Sequence, residues 1–112
     1  MVTSPVKGLP FKGTFHFDEG FYYWRNLGNR ILIGGGRNVA FEEEQTIDLS
    51  GSLVVKNALV SCLHEHLHLK YEDSIEHHWS GIMGFTQGKK PLVAKLSKGV
   101  FAAIAYNGMG VA

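Results

Sequence analysis

The sequence predicts an α+β fold, in which a mostly antiparallel sheet carries one long helix on one face. Three observations predict it. Aromatic and aliphatic residues alternate with polar ones in the first third of the chain, as they do in half-buried strands. Turn-forming residues, many of them glycine, separate these stretches. One long apolar segment, residues 53–69, contains neither Gly nor Pro and favours a helix.

The strands of the predicted sheet are bounded by turn signals. Phe15 and Phe17 alternate with polar residues, and Asp18-Glu19-Gly20 follows them as a turn. An aromatic-rich stretch comes next, and Leu27-Gly28-Asn29 forms a hairpin loop in which Gly and Asn tolerate positive φ. The predicted strands are Phe11–Phe17, Phe21–Asn26, Arg30–Ile33 and Ile75–Phe85.

The helix is predicted over about Ser52–His68. Its apolar residues cover a face broad enough to pack on a sheet, and Ser50 or Ser52 is available as the N-cap. The segment before it is polar and includes three consecutive glutamates, Glu42–Glu44, which are typical of a solvated loop.

The C-terminal part of the sequence predicts a short strand and then a buried one. Leu92–Lys95 is the short strand, and Val100–Tyr106 is continuously apolar, which indicates burial on both faces. Asn107-Gly108-Met109-Gly110 then resembles a glycine turn that opens a helix. A doubly buried strand needs cover on both faces, so we expect residues 1–112 to be a single domain that is a piece of a longer polypeptide. In the isolated chain we expect Val100–Tyr106 to leave apolar surface exposed.

Composition and charge exclude several classes of function. The 112 residues include 11 Lys and Arg and 10 Asp and Glu, so the formal net charge is +1. Nucleic-acid and anionic-membrane binding usually need a basic patch, and we expect neither. The longest apolar run falls far short of the roughly 20 residues of a membrane helix. The single Cys62 excludes an intramolecular disulfide and predicts a reducing, cytoplasmic location.

A histidine-rich segment offers a zinc hypothesis. His64-Glu65-His66-Leu67-His68 matches the HExxH pattern, which places two histidines on one helix face. That site also needs a third ligand and a cleft, and cationic residues are favoured at a helix C-terminus in any case. We therefore predict no metal site, and the zinc enzyme is kept as a rival.

The order and spacing of several motifs resemble one known family. In the C-terminal half these motifs are Trp79–Thr86, Pro91, Gly99–Ala103 and Tyr106–Ala112. Together they resemble the C-terminal part of the FAD-dependent amine and amino-acid oxidoreductases, the family of D-amino-acid oxidase, glycine oxidase, sarcosine oxidase and gamma-glutamylputrescine oxidase.

The upstream part of the chain carries the same resemblance. Tyr22–Arg25 followed by Arg30–Gly35 is similar to the substrate-domain hairpin of that family, so the resemblance extends over about Phe17–Ala112. The sequence departs from the family pattern at Gly88, where Asp is usual, and at Ala94, where Gly is frequent.

The resemblance implies a reaction and a set of site residues. The reaction is oxidation of a C–N bond of a small-molecule amine or amino acid by hydride transfer to the flavin of FAD. Tyr23 and Arg25 are the implied substrate-binding residues. The implied cofactor-binding residues are Met83, Gly84, Phe85, Thr86, Gly108, Met109 and Gly110.

The resemblance also implies that part of the cofactor site lies outside these residues. The chain contains no GxGxxG motif, so the main FAD-binding contacts are expected from a dinucleotide-binding domain of the same polypeptide. We therefore expect the isolated chain to hold no FAD, to be inactive and to self-associate. The alternative is a stand-alone, non-catalytic α+β binding or interaction domain.

Overall fold

The computed structural model of the chain describes residues 1–69 and 75–108. The chain divides into two compact units, Met1–Ser80 and Gly81–Ala112. The first unit contains a five-stranded antiparallel sheet and the helix, and the second contains a two-stranded antiparallel sheet. The predicted α+β class is confirmed.

The sheet of the first unit has the strand order β2-β3-β4-β1-β5. Its strands are β1 (Val2–Thr3), β2 (Thr14–Phe17), β3 (Tyr22–Leu27), β4 (Arg30–Gly35) and β5 (Ile75–His77). Leu27 pairs with Arg30, which leaves Gly28 and Asn29 as a two-residue hairpin loop. Gly28 has a φ of 61°, so the turn uses the conformational freedom that the sequence predicted for it.

The helix α1 spans Leu53–Glu65 and starts and stops for local reasons. Ser52 is the N-cap, and its hydroxyl accepts hydrogen bonds from two backbone N–H groups of the first turn. At the other end His68 adopts a φ of 52°, and the Leu69 N–H donates to the Leu63 carbonyl oxygen. This left-handed turn ends the helix before the predicted His68.

The core of the first unit lies between α1 and one face of the sheet. Ile31 and Ile33 alternate along β4 and face the helix, which buries Leu59, Cys62 and Leu63 against them. The buried helix positions follow the i, i+3, i+4 spacing of one narrow stripe, while Leu53 at the first turn is 72% exposed. The predicted broad apolar face is therefore only partly used.

Two strand predictions are wrong in extent. The strand predicted over Ile75–Phe85 ends at His77, and residues 78–85 form no strand. Among the described strands β5 pairs with β1, and β1 is only two residues long, so the ladder offers β5 no further partner residues. The strand predicted over Phe11–Phe17 begins only at Thr14. There Gly13 has a φ of 136° and its N–H donates to the Asn26 side chain.

The second unit is a β-hairpin of β6 (Leu92–Ser97) and β7 (Val100–Ile104). Both strands were predicted, and Val100–Tyr106 exposes apolar surface in this chain, as expected for a strand that is apolar on both faces and lacks its cover. Phe101 is 71% exposed, and among the described strands β7 pairs with β6 alone. A two-stranded sheet without a helix among the described residues of its unit cannot cover two apolar faces, which accounts for this exposure.

The helix–sheet contact generates a stability prediction. Leu63→Ala should lower the free energy of unfolding by about 2–5 kcal/mol, because Leu63 is fully buried and its loss leaves a cavity. Leu53→Ala is the matched control in the same helix and should change it little, since Leu53 is mostly exposed. Urea denaturation of both variants measures the difference. Equal losses in the two variants would contradict the packing described.

Candidate functional site

The sheet of the first unit has an open face on the side opposite α1. Along β3, Tyr22 and Trp24 point toward the core side, while Tyr23 and Arg25 point to the open face. Directly opposed residues of antiparallel strands share a face, so His16 lies beside Tyr23 on this side. The two predicted substrate-binding residues are thus neighbours on one exposed surface.

A glycine fixes where the Tyr23 ring lies. Tyr23 pairs with Gly34 across the β3–β4 ladder, and its ring covers the space that a side chain at Gly34 would fill. A Cβ built there would be 2.6 Å from the Tyr23 Oη atom. The His16 ring lies on the other flank, with its centroid 6.5 Å from that of Tyr23. Gly34 therefore provides the space in which the Tyr23 ring lies across β4.

Two arginines on this face differ in their partners. The Arg30 guanidinium donates to the Glu76 carboxylate and, at 3.0 Å, to the Thr3 carbonyl oxygen. Arg25 forms no ion pair with any residue that the structure describes. Of the two, Arg25 is the cation on the open face that no carboxylate of the described residues 1–69 and 75–108 pairs with.

The Arg30–Glu76 ion pair lowers the pKa of the Glu76 carboxyl group. The hydrogen bond from Arg30 is the main cause that lowers the pKa of Glu76. Desolvation opposes it as the next largest effect, and the charges of Arg30 and His77 lower the pKa to a smaller extent. The pair joins β4 to β5, on either side of the two-residue strand β1. Its role is structural.

The second unit brings together part of the predicted cofactor-binding residues. The Asn107 backbone N–H donates to the Gly84 carbonyl oxygen at 3.3 Å. The Asn107 Oδ1 atom accepts from the Thr86 N–H at 2.8 Å. A Cβ at Gly84 would lie 3.2 Å from the Ala105 Cα, so the two chain segments pass close together.

The remaining predicted cofactor-binding residues divide into exposed and undescribed ones. Met83 is 55% exposed, and Phe85 is also exposed. Gly108 has a φ of 84°, and no described atom lies within 4 Å of a Cβ built on it. Met109 and Gly110, and with them the predicted opening of a helix, lie outside the described residues.

The histidine-rich segment does not have the geometry of a zinc site. The helix ends at Glu65, so His64 and His68 do not share a helix face. The His66 ring packs instead on Phe17, with 4.4 Å between the ring centroids. Within residues 1–69 and 75–108, no group of three or more His, Cys, Asp or Glu side chains could hold a metal ion.

A cavity of about 110 Å³ lies at the start of α1, and none of the predicted site residues lines it. Its lining includes Ser52, Lys56, His78 and Trp79. The N-cap Ser52 already accepts hydrogen bonds from the Val54 and Val55 N–H groups beside it. Ser52 is therefore already engaged within the helix cap.

Three residues that lie next to predicted site residues, on the open face of the sheet or in the second unit, were not predicted from the sequence. They are His16, Gly34 and Asn107. Period-2 alternation and the hairpin register could have placed His16 next to Tyr23. No sequence signal predicts the side-chain bonds of Asn107, because they join segments 21 residues apart.

The whole chain matches one protein family. The family described as FAD dependent oxidoreductase matches residues 1–112. The chain therefore belongs to the FAD-dependent oxidoreductases. Among curated proteins and among solved structures, no match to the chain was found. In the part of the chain that the structure describes, no helix has the length and apolar character needed to cross a bilayer.

Among the described residues, the backbone at Gly108 is open to a ligand. The space in front of Gly108, together with its positive φ, lets a planar ligand edge approach the backbone where a side chain would block it. The Thr86 N–H already donates to the Asn107 side chain, so it is not available to a ligand. Its hydroxyl also donates to the Lys90 carbonyl oxygen, at 2.7 Å.

The Arg30–Glu76 pair generates a pH prediction. Because the folded-state pKa of Glu76 lies below its ordinary value of 4.5, its stabilising effect is complete above that pH. The stabilising effect is lost as the pH falls through the folded-state pKa of Glu76. Wild type should therefore exceed Glu76→Gln in stability near neutral pH, and the difference should shrink in acid.

Urea midpoints across a pH series measure that difference. Glu43→Gln, in the exposed run of glutamates, is the control and should show no comparable trend. A Glu76→Gln deficit that is equal at neutral and acidic pH would contradict the ion-pair assignment.

Proposed function

We propose that this chain is part of an FAD-dependent oxidoreductase that oxidises a C–N bond of a small amine or amino acid. The family match over the whole chain supports the cofactor class. The substrate class rests on one observation, the position of Arg25 beside Tyr23 on the open face of the sheet. We propose that the enzyme is related to the D-amino-acid, glycine and sarcosine oxidases.

Arg25 is proposed to bind the carboxylate of an amino-acid substrate. A guanidinium group makes two parallel hydrogen bonds to a carboxylate, which gives both affinity and orientation. Arg30 is unsuited to this role because Glu76 and Thr3 already accept its hydrogen bonds. Tyr23 adds an aromatic wall and a hydroxyl group next to Arg25.

The second unit is proposed to contribute to the cofactor site. Met83, Gly84, Phe85 and Thr86 would run along the flavin, and Gly108, Met109 and Gly110 would turn their N–H groups toward it. When bound, FAD supplies the acceptor for the hydride that leaves the carbon of the C–N bond. A helix start at this glycine turn would favour negative charge on the flavin.

The other expectations of the sequence remain part of the proposal. The main FAD contacts come from a dinucleotide-binding domain elsewhere in the same polypeptide, since this chain lacks the GxGxxG motif. We also propose a cytoplasmic enzyme, in keeping with a single, unpaired Cys62.

The substrate role of Arg25 is tested in the complete enzyme with its FAD bound. Arg25→Met should raise the KM for amino acids by about tenfold or more, which corresponds to about 1.4 kcal/mol of lost binding. The KM for amines that lack a carboxylate should change little. Steady-state oxidation of matched amine and amino-acid pairs measures this selectivity.

Arg30→Lys is the control, because it alters an arginine of the same face that is bonded within the protein. It should leave the preference between amino acids and amines unchanged. Equal effects of Arg25→Met on both substrate classes would contradict carboxylate binding by Arg25.

The isolated chain generates a second prediction. Purified alone, it should carry no FAD and should elute from size-exclusion chromatography as more than a monomer, because exposed apolar strands promote association. Phe101→Ser should shift the elution toward the monomer, while Lys98→Ser in the adjacent turn should not. A flavin absorbance in the protein peak, or a monomer at high concentration, would contradict the expectation.

A further inference from the structure

Asn107 is half-buried and forms hydrogen bonds through both its backbone and its side chain. Its backbone N–H donates to the Gly84 carbonyl oxygen, and its Oδ1 atom accepts from the Thr86 N–H at 2.8 Å. Its Nδ2 atom donates to the Ala105 carbonyl oxygen at 2.6 Å. The side chain thus joins two segments of the second unit that are 21 residues apart in sequence.

The backbone at Asn107 is strained for most residue types. Its φ of 56° lies in the left-handed region, which Gly and Asn tolerate best. Ala105, two residues earlier, also has a φ of 56°. The side-chain bonds of Asn107 offset the cost of this turn, because they hold its backbone against Gly84 and Thr86.

The bonds of Asn107 fall on either side of Phe85. Gly84 is held through its carbonyl oxygen and Thr86 through its N–H, so the backbone between them is fixed at both ends. The exposed side chains of Met83 and Phe85 are presented by this fixed segment. Loss of the Asn107 side chain would free the Thr86 end of the segment.

We propose that Asn107 is a positioning residue that holds segment 83–86 in register with the Gly108 turn, so that both face the flavin together. This inference rests on the proposed function of the second unit as a flavin-facing surface. Asn107 itself acts through Thr86 and Ala105 rather than through the reacting atoms.

Two variants separate the side-chain bonds from the backbone conformation. Asn107→Gly keeps the positive φ accessible and removes both side-chain bonds. Asn107→Asp keeps an acceptor for the Thr86 N–H and replaces the donor to Ala105 with a carboxylate oxygen. Asn107→Gly therefore loses the side-chain bonds to both Thr86 and Ala105, whereas Asn107→Asp loses the bond to the Ala105 carbonyl oxygen and keeps an acceptor for the Thr86 N–H.

The first readout is amide hydrogen exchange in the full chain, followed by NMR. Asn107→Gly should lower the protection of the Thr86 N–H by about tenfold, and Asn107→Asp should lower it less. The Ile31 N–H, which is bonded to Thr3 in the first unit, should be unchanged and serves as the internal control. Unchanged protection at Thr86 in Asn107→Gly would overturn the positioning role.

The second readout is FAD affinity and the visible circular dichroism of the flavin in the complete enzyme. Asn107→Gly should raise the dissociation constant of FAD by about tenfold and alter the flavin signal. Lowered Thr86 protection with unchanged FAD affinity and signal would overturn the inferred flavin role. A complete wild-type protein that holds no FAD would instead overturn the proposed function, and the exchange result alone would then show whether Asn107 braces the segment.

Discussion

The packing of α1 on β4 is the contact on which the first unit depends. Ile31 and Ile33 supply the sheet side of the contact, and Leu59 and Leu63 supply the helix side. Burial of apolar side chains is the main favourable contribution to folding, and these four residues are almost completely removed from water. Because the helix covers this face of the sheet, the other face is the one on which a substrate site is proposed.

The two faces of β3 therefore have different tasks. Tyr22 and Trp24 pack toward the core, and their alternates Tyr23 and Arg25 stand on the open side. On that side Tyr23 lies over Gly34, and Arg30 is paired with Glu76. A binding surface on a rigid sheet holds its side chains more precisely than one on a loop.

The second unit is organised differently, by hydrogen bonds more than by a core. Its strands leave Val93 and Phe101 largely exposed, and its turns are tied by Asn107 and Thr86. Buried apolar surface contributes less here, so local geometry depends on polar contacts between segments. Such a unit matches the role proposed for it, in which a second domain supplies the missing cover and a cofactor lies against the turns.

Local sequence signals determined the class of fold, the Ser52 cap, the hairpin at Gly28 and the alternation that places Tyr23 and Arg25 on one face. Each of these depends on residues within a few positions of one another, where periodicity and turn chemistry act directly. Tertiary structure alone decided that the strand after Ile75 ends at His77 and that Asn107 joins Thr86. These features depend on which segments meet across long stretches of chain, and no local pattern of residue types records such a meeting.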